Sequence, residues 1–257
     1  MSHISYSELK NWSECTWRHK LLYVDKIEVG QGTEHTCYGT AVHETVENML
    51  LGKISDLYPY FNKIFTEELE KIGISEDTEL ASQMREQVVG TFEKVVPTLD
   101  EYFEDKNGWS VVTTEEPLYE SVNLESSGDY KFKGFIDLVI KDGNGHFHVI
   151  DWKTCSWGWD ARKKSDILYA RQLVLYKHYY AQKYDINPRA ISTHFGLLKR
   201  TAKKKRIELF RVTSGERKTK NSLDFLQKAL YNITNKRHLK NKLSCRWCPF
   251  KDTEHCS

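Results

Sequence analysis

Apolar residues recur at helical spacing in the first part of the chain and at strand spacing in its middle. Ser5 to about Leu22 predicts a helix, with Ser5 or Ser7 as its cap. After a Gly-containing loop, a second helix is expected from near Gly39 through Ala41, Val42, Val46, Met49 and Leu50. Residues 57–72 and 78–104 carry further helical periodicity, and Pro97 predicts a kink or break in the latter. The segments 109–124, 131–140 and 146–153 are rich in Val, Ile, Phe and Tyr. They are separated by Ser126-Ser-Gly-Asp129 and Asp142-Gly-Asn-Gly145, which predicts three strands in a meander. Helical spacing returns over 165–183 (Leu168, Leu173, Leu175, Tyr176, Tyr179). Strands at about 190–199 and 206–213 flank a basic loop, and a last helix spans 218–235. The order is that of an α/β domain with a helical N-terminal portion.

Composition narrows the class only slightly. The 257 residues are 39% hydrophobic, enough for one sizeable core, and 29% charged with a formal net charge of +2. Lys199, Arg200, Lys203, Lys204, Lys205 and Arg206 crowd one stretch, with Arg217, Lys218 and Lys220 soon after. Such a stretch suits a nucleic-acid surface or a solvated loop. No segment approaches the about 20 apolar residues of a membrane span, and the N-terminus lacks a signal-peptide pattern, so a cytoplasmic chain with no membrane partner is expected. In that compartment Cys15, Cys37, Cys155, Cys245, Cys248 and Cys256 suggest metal binding rather than a disulfide framework. There is no internal repeat and no low-complexity linker.

The most informative segment is Gly134-Phe-Ile-Asp137, then a tight turn, then Val149-Ile-Asp151-Trp-Lys153-Thr. Asp151 and Lys153 alternate on one strand and leave the same face. Asp137 and Asp151 are equally far from residue 144, the centre of the connecting hairpin, so they should lie across from one another, give or take one residue. Two facing carboxylates beside a lysine, in strands otherwise apolar, repel unless a divalent cation joins them; oxygen ligands suit Mg²⁺ or Mn²⁺. The bland alternative is a solvated Asp-x-Lys pair on a strand surface.

These residues resemble the PD-(D/E)XK nuclease superfamily, in the branch typified by the RecB nuclease domain. Gly39-Thr-Ala-Val-His43-Glu is similar to the branch's helical motif, in which the histidine is a metal ligand. Glu115 or Glu116, with Glu115 preferred, matches its supporting acidic residue, and Gln172-Leu-Val-Leu-Tyr176 its Q-x-x-x-Y motif. The resemblance implies a restriction-endonuclease-like core, with metal held by His43, Asp137, Asp151 and the Trp152 backbone carbonyl. Lys153 would stand beside the nucleophile, orienting or deprotonating water or stabilising the transition state, and Gln172 and Tyr176, on one helix face, would contact the substrate backbone. His43 and Tyr176 also have ordinary readings as buried core side chains. Ile136 precedes Asp137 where the superfamily name has proline, as is usual in this branch.

Cys245-Arg-Trp-Cys248 and Cys256 place three thiols close together near the C-terminus, and Cys15 is the candidate fourth. The segment from Ser5 to Tyr23 resembles that of RecB-like nucleases with an iron–sulfur staple, including the AddB nuclease domain and the CRISPR-adaptation nucleases. This implies a 4Fe-4S cluster on Cys15, Cys245, Cys248 and Cys256, although the gap from Cys248 to Cys256 is longer than the family's usual spacing. Zinc on the same thiols, with His255 or His19 replacing one, is the alternative. Cys37 and Cys155 have no partners at useful spacing, and Cys155 could line the cleft.

The expected architecture is one nuclease domain over 1–257: a mainly helical portion at 1–108, the core at 109–240 and a cysteine-rich clasp at 241–257. The expected activity is metal-dependent hydrolysis of DNA, as an exonuclease on single strands or ends in recombination, repair or replication. With no G-x-x-x-x-G-K-[ST] motif, the chain would act alone or with a helicase or recombination partner in trans, a phage or mobile-element origin being one setting. The competing readings are a catalytically silent DNA-binding or scaffolding module, a CRISPR-type DNA-end processing nuclease, and an RNA-directed nuclease.

Overall fold

A computed structural model of the chain describes residues 2–30, 32–125 and 128–256. The first half of the predicted Ser126–Asp129 turn lies outside the described residues.

The N-terminal helix is not continuous. Strand β1 (His3–Ser5) leads into α1 (Tyr6–Glu14), where Ser5 Oγ accepts from the Glu8 amide at 3.1 Å. At Cys15 the backbone turns extended (φ −161°, ψ 113°), and α2 (Thr16–His19) continues as a π-helical turn over Lys20–Val24. Helix α3 (Glu34–Leu50) begins earlier than expected, because Thr36 Oγ1 accepts from the Thr33 amide at 2.9 Å and supports a polar first turn without apolar periodicity. After α4 (Leu57–Lys71), the 78–104 region forms α5 (Glu79–Val88) and α6 (Val95–Tyr102). The break expected at Pro97 falls instead at Gly90 (φ +79°). Pro97 sits in the first turn of α6, where no intrahelical hydrogen bond needs its missing N–H.

The predicted strands form as β2 (Trp109–Ser121), β3 (Lys131–Asp142), β4 (Phe147–Cys155), β5 (Ile191–Lys199) and β6 (Ile207–Val212). Short α7 (Ala161–Lys164) and long α8 (Ile167–Tyr184) follow β4, and α9 (Glu216–Thr234) follows β6. With β1 they make one mixed sheet in the order β1-β3-β4-β5-β6, with β2 paired to β3. Strand β2 runs antiparallel along one edge of β3; the other edge pairs with β1 at Lys131–Lys133 and with β4 at Leu138–Lys141. On that edge β3 is left without a ladder partner between Gly134 and Asp137.

Two apolar layers cover the sheet. One joins Phe132, Ile136, Val139 and Val149 to Leu9 of α1, Leu173 and Tyr179 of α8, and Leu226 and Leu230 of α9. The other joins Leu138, Ile140, Ile150 and Trp152 to Val42 and Val46 of α3, Phe61 and Phe65 of α4, Met84 of α5 and Leu99 of α6. The expected mixed α/β architecture, a central sheet flanked by helices, is the one observed. The alternation of β3 shifts after Ile136: Ile136 faces the first layer, whereas Leu138 and Ile140 face the second. The shift coincides with Glu115 on β2, whose backbone is left-handed (φ +47°) between the Thr114↔Leu138 and Glu116↔Ile136 pairs.

Candidate active site

The β3–β4 ladder ends at Leu138↔Ile150, so the next step of the same register sets Asp137 opposite Asp151, at the point where the strands part. The Asp137 side chain closes the gap: its Oδ2 accepts from the Trp152 amide at 2.6 Å. The Trp152 indole packs against Gly196 of β5, where a Cβ would lie 2.1 Å from the ring and only glycine fits. From α3, His43 Nδ1 approaches Asp137 Oδ2 at 3.6 Å. Lys153 Nζ lies 2.6 Å from Asp151 Oδ2. The contact is close but poorly directed, leaving that buried oxygen without a well-aligned hydrogen bond.

The electrostatics are those of carboxylates short of positive charge. Burial pushes the Asp137 carboxyl up to about 7 and that of Asp151 up to about 6, in both cases against the opposing pull of the Lys153 ammonium. Burial, with Lys153 nearby, holds His43 down to about 4, so its imidazole is neutral and has a lone pair to donate. Burial would lower Lys153, but Asp151 and Asp137 outweigh it and hold the amine above the ordinary lysine value.

Glu115 and Glu116 point to different places. Glu115 lines the same cleft as His43 and Lys153, whereas Glu116 pairs with Lys183 at 2.5 Å and accepts from Tyr184 Oη at 2.6 Å, away from it. Two residues of the cleft were not anticipated: Glu44 and Glu47 of α3. Burial and then Glu115 push Glu47 up to about 9, and a hydrogen bond links the two side chains. The signal was available, since Glu47 follows His43 by one helical turn and must share its face. The cleft has a volume of about 650 Å³.

Gln172 and Tyr176 do not line that cleft. Both are buried, with Gln172 Nε2 donating to Tyr176 Oη at 3.2 Å. The Tyr176 ring lies where a Cβ on Gly134 would be 2.7 Å away, so it packs on β3 just before Asp137. Cys155, half-buried, packs beside the first apolar layer, and the cleft's lining does not include it.

Among the described residues, no three His, Cys, Asp or Glu side chains are clustered closely enough to hold a metal ion. Asp137 and Asp151 are turned onto the Trp152 amide and Lys153 instead. The donor set nevertheless fits a hard divalent cation: a buried carboxylate oxygen without a directed partner, two carboxyls raised by burial, and a neutral imidazole.

Cys15, Cys245, Cys248 and Cys256 all line a second cavity, of about 240 Å³, between α2 and the C-terminal segment. Every one is a free thiol. Trp17 Nε1 donates to the His255 carbonyl at 3.0 Å and Asn241 Nδ2 to the Glu14 carbonyl at 2.8 Å, so the N-terminal and C-terminal segments are joined there by hydrogen bonds. His19 is turned away, onto Glu8 at 2.9 Å.

The basic stretch divides. Lys199 pairs with Glu208 at 3.3 Å, and Arg206 Nη1 donates to the Gln87 carbonyl at 2.6 Å, whereas Lys203, Lys204 and Lys205 are exposed. No helix among the described residues is long and apolar enough to cross a membrane.

A mixed sheet between helical layers, with two acidic side chains and a lysine where adjacent strands separate, is the arrangement of a restriction-endonuclease-like nuclease. The chain belongs to the PD-(D/E)XK nuclease superfamily, whose profile matches residues 3–253. A crystal structure described as "Putative exonuclease" from Eubacterium rectale superposes with a TM-score of 0.60 at 12% identity, covering 97% of this chain and 88% of that one. A second, of SSO0001, gives 0.40 at 13% identity, covering 97% and 84%. No curated protein matches the sequence.

Proposed function

We propose that this nuclease is a metal-dependent deoxyribonuclease that hydrolyses phosphodiester bonds, acting as an exonuclease on single strands or DNA ends in recombination, repair or replication. One observation carries the reading: Asp137 and Asp151 meet where β3 and β4 part, with Lys153 against one and His43 against the other. His43, Asp137, Asp151 and the Trp152 carbonyl would hold a Mg²⁺ or Mn²⁺ ion, whose chemistry is to polarise a phosphoryl oxygen and acidify water. Lys153, kept charged by its two carboxylate neighbours, suits charge stabilisation and water orientation better than proton abstraction. Glu115, on its left-handed backbone, faces the same cleft as the supporting acid. Gln172 and Tyr176 support the site from behind β3, which favours positioning over direct contact with the substrate backbone.

The description of the Eubacterium rectale structure as a "Putative exonuclease" accords with exonuclease action. The four cysteines around one cavity support a 4Fe-4S cluster, or zinc, as a clasp between the chain's two ends.

The test is a time course with Mg²⁺ or Mn²⁺ on end-labelled single-stranded DNA, duplex DNA and matched RNA. Wild type should shorten DNA from its ends, and Lys153→Ala should lose on the order of a hundredfold or more in rate. A Lys153→Ala chain that degrades DNA as fast as wild type removes the proposed chemistry; cleavage confined to RNA removes the proposed substrate.

A further inference from the structure

Four residues beyond Lys153, the chain exposes a tryptophan that neither the fold nor the site uses. Trp157 is 77% exposed, and its indole is in no ring or cation contact among the described residues. Its neighbour Trp159 shows the contrast, being buried against Phe195 with ring centroids 5.1 Å apart. An exposed indole on a flexible tip would call for no explanation, but this loop is held. The Cys155 carbonyl accepts from the Arg200 amide at 2.8 Å, and the Ser156 carbonyl accepts from the Thr201 amide at 3.1 Å and from Thr201 Oγ1 at 2.7 Å. Gly158 then turns the chain with φ +117°, a conformation L side chains rarely adopt. The indole is thus presented on an anchored backbone, so little loop-ordering entropy remains to be lost on contact.

The surroundings are cationic. Arg162 and Lys163 of α7 follow Trp157 closely in the chain and are exposed, as are Lys203 and Lys204, just beyond the anchoring Thr201. None of these four forms an ion pair with a described residue, Lys163 Nζ lying over the Trp159 ring 4.7 Å from its centroid; of the nearby acids, Glu208 pairs with Lys164 and Lys199, and Asp160 Oδ1 accepts from the Lys163 amide at 2.7 Å. An open aromatic face near cations that have no acidic partner is the chemistry that binds a base and its flanking phosphates. Strand β4 ends at Cys155, so the four residues from Lys153 to Trp157 span at most roughly 13 Å, which at the duplex rise per strand is at most about four nucleotides.

We propose that Trp157 stacks a nucleobase of single-stranded DNA a few nucleotides from the scissile phosphate, with Arg162, Lys163, Lys203 and Lys204 taking the adjoining phosphates. The inference rests on the nuclease reading and names its substrate form: a strand whose bases are unpaired, since a duplex hides its base faces.

The test measures binding apart from cleavage. Fluorescein-labelled oligothymidylate and a matched duplex are titrated by anisotropy against intact Lys153→Ala chain, with and without Trp157→Ala or Trp157→Phe. Trp157→Ala should weaken single-strand binding by about five- to a hundredfold, leave duplex binding within about twofold, and be rescued by Trp157→Phe; thermal melts confirm that the exposed substitution leaves the fold intact. Unchanged single-strand affinity overturns the proposal, as does equal loss on both substrates. A wild type that hydrolyses DNA while Trp157→Ala binds normally overturns this inference alone, whereas a chain that neither binds nor cleaves DNA overturns the nuclease reading with it.

Discussion

Asp137 Oδ2 lies 2.6 Å from the amide nitrogen of Trp152, so a side chain continues the β3–β4 hydrogen bonding after the backbone ladder has stopped. The acid is thereby held at the mouth of the opening rather than across it. The same contact ties the site to the strand that carries Asp151 and Lys153.

Asp151→Asn should separate stability from activity. Burial raises this carboxyl from 3.8 to about 6, so the folded chain keeps a proton that the unfolded chain releases between those values. Its stability contribution is full below about 3.8, falls as pH rises through about 6, and the loss persists above. At pH 8 without metal, Asp151→Asn should therefore be more stable by roughly 1–3 kcal/mol, while cleavage falls by about a hundredfold or more. Chemical denaturation in EDTA checks the first; a variant less stable than wild type would contradict the assigned strain.

Divalent metal should stabilise the wild type and not that variant. Ligand present at about 100 times its dissociation constant adds roughly 2.7 kcal/mol to the folded state. Melting curves with Mg²⁺ or Mn²⁺ against EDTA read this directly, and equal shifts for wild type and Asp151→Asn would place the ion elsewhere.

His194 should make the chain acid-labile. It is buried on β5, opposite Ile150 of β4, 3.0 Å from His148, which in turn lies 3.1 Å from Asp142. Burial, with His148 adding, pushes His194 down to about 3. Between about 6.5 and about 3 the unfolded chain binds a proton that the folded chain refuses, so stability falls as pH falls, by about 1.4 kcal/mol per unit. Denaturation midpoints across this range should show a slope shallower by that amount in His194→Gln; an unchanged slope would remove the assignment.

Gly196→Ala should damage the site from a distance. The added Cβ would sit 2.1 Å from the Trp152 ring, which must move, and its backbone carries the amide that Asp137 holds. A loss of about 1–3 kcal/mol is expected, with cleavage reduced further than stability alone explains. A variant as stable and active as wild type would show that Trp152 can repack freely.

The cysteine clasp is tested by colour and composition. Anaerobically purified wild type should be brown with iron and sulfide present, and Cys245→Ser should be colourless and melt lower. A colourless wild type with stoichiometric zinc would assign the other metal.

Much of the architecture was legible before folding. The alternation of β2, β3 and β4 and the Asp142–Gly145 turn are local, so the hairpin centre placed Asp137 opposite Asp151 by counting alone. The spacing of Asp151 and Lys153 likewise required one shared face. Other features depend on residues far apart in sequence. The three residues of β1 are too few to show alternation and form a strand only because β3 offers them an edge. Cys15 interrupts a pattern that reads as one helix because the returning C-terminal segment packs there, with the Thr16 hydroxyl donating to the Leu239 carbonyl at 3.1 Å. Helical spacing put Glu47 on the face of His43, but which of Glu115 and Glu116 turned to the cleft, and that Trp157 was left bare, were decided by packing partners that short-range periodicity does not encode.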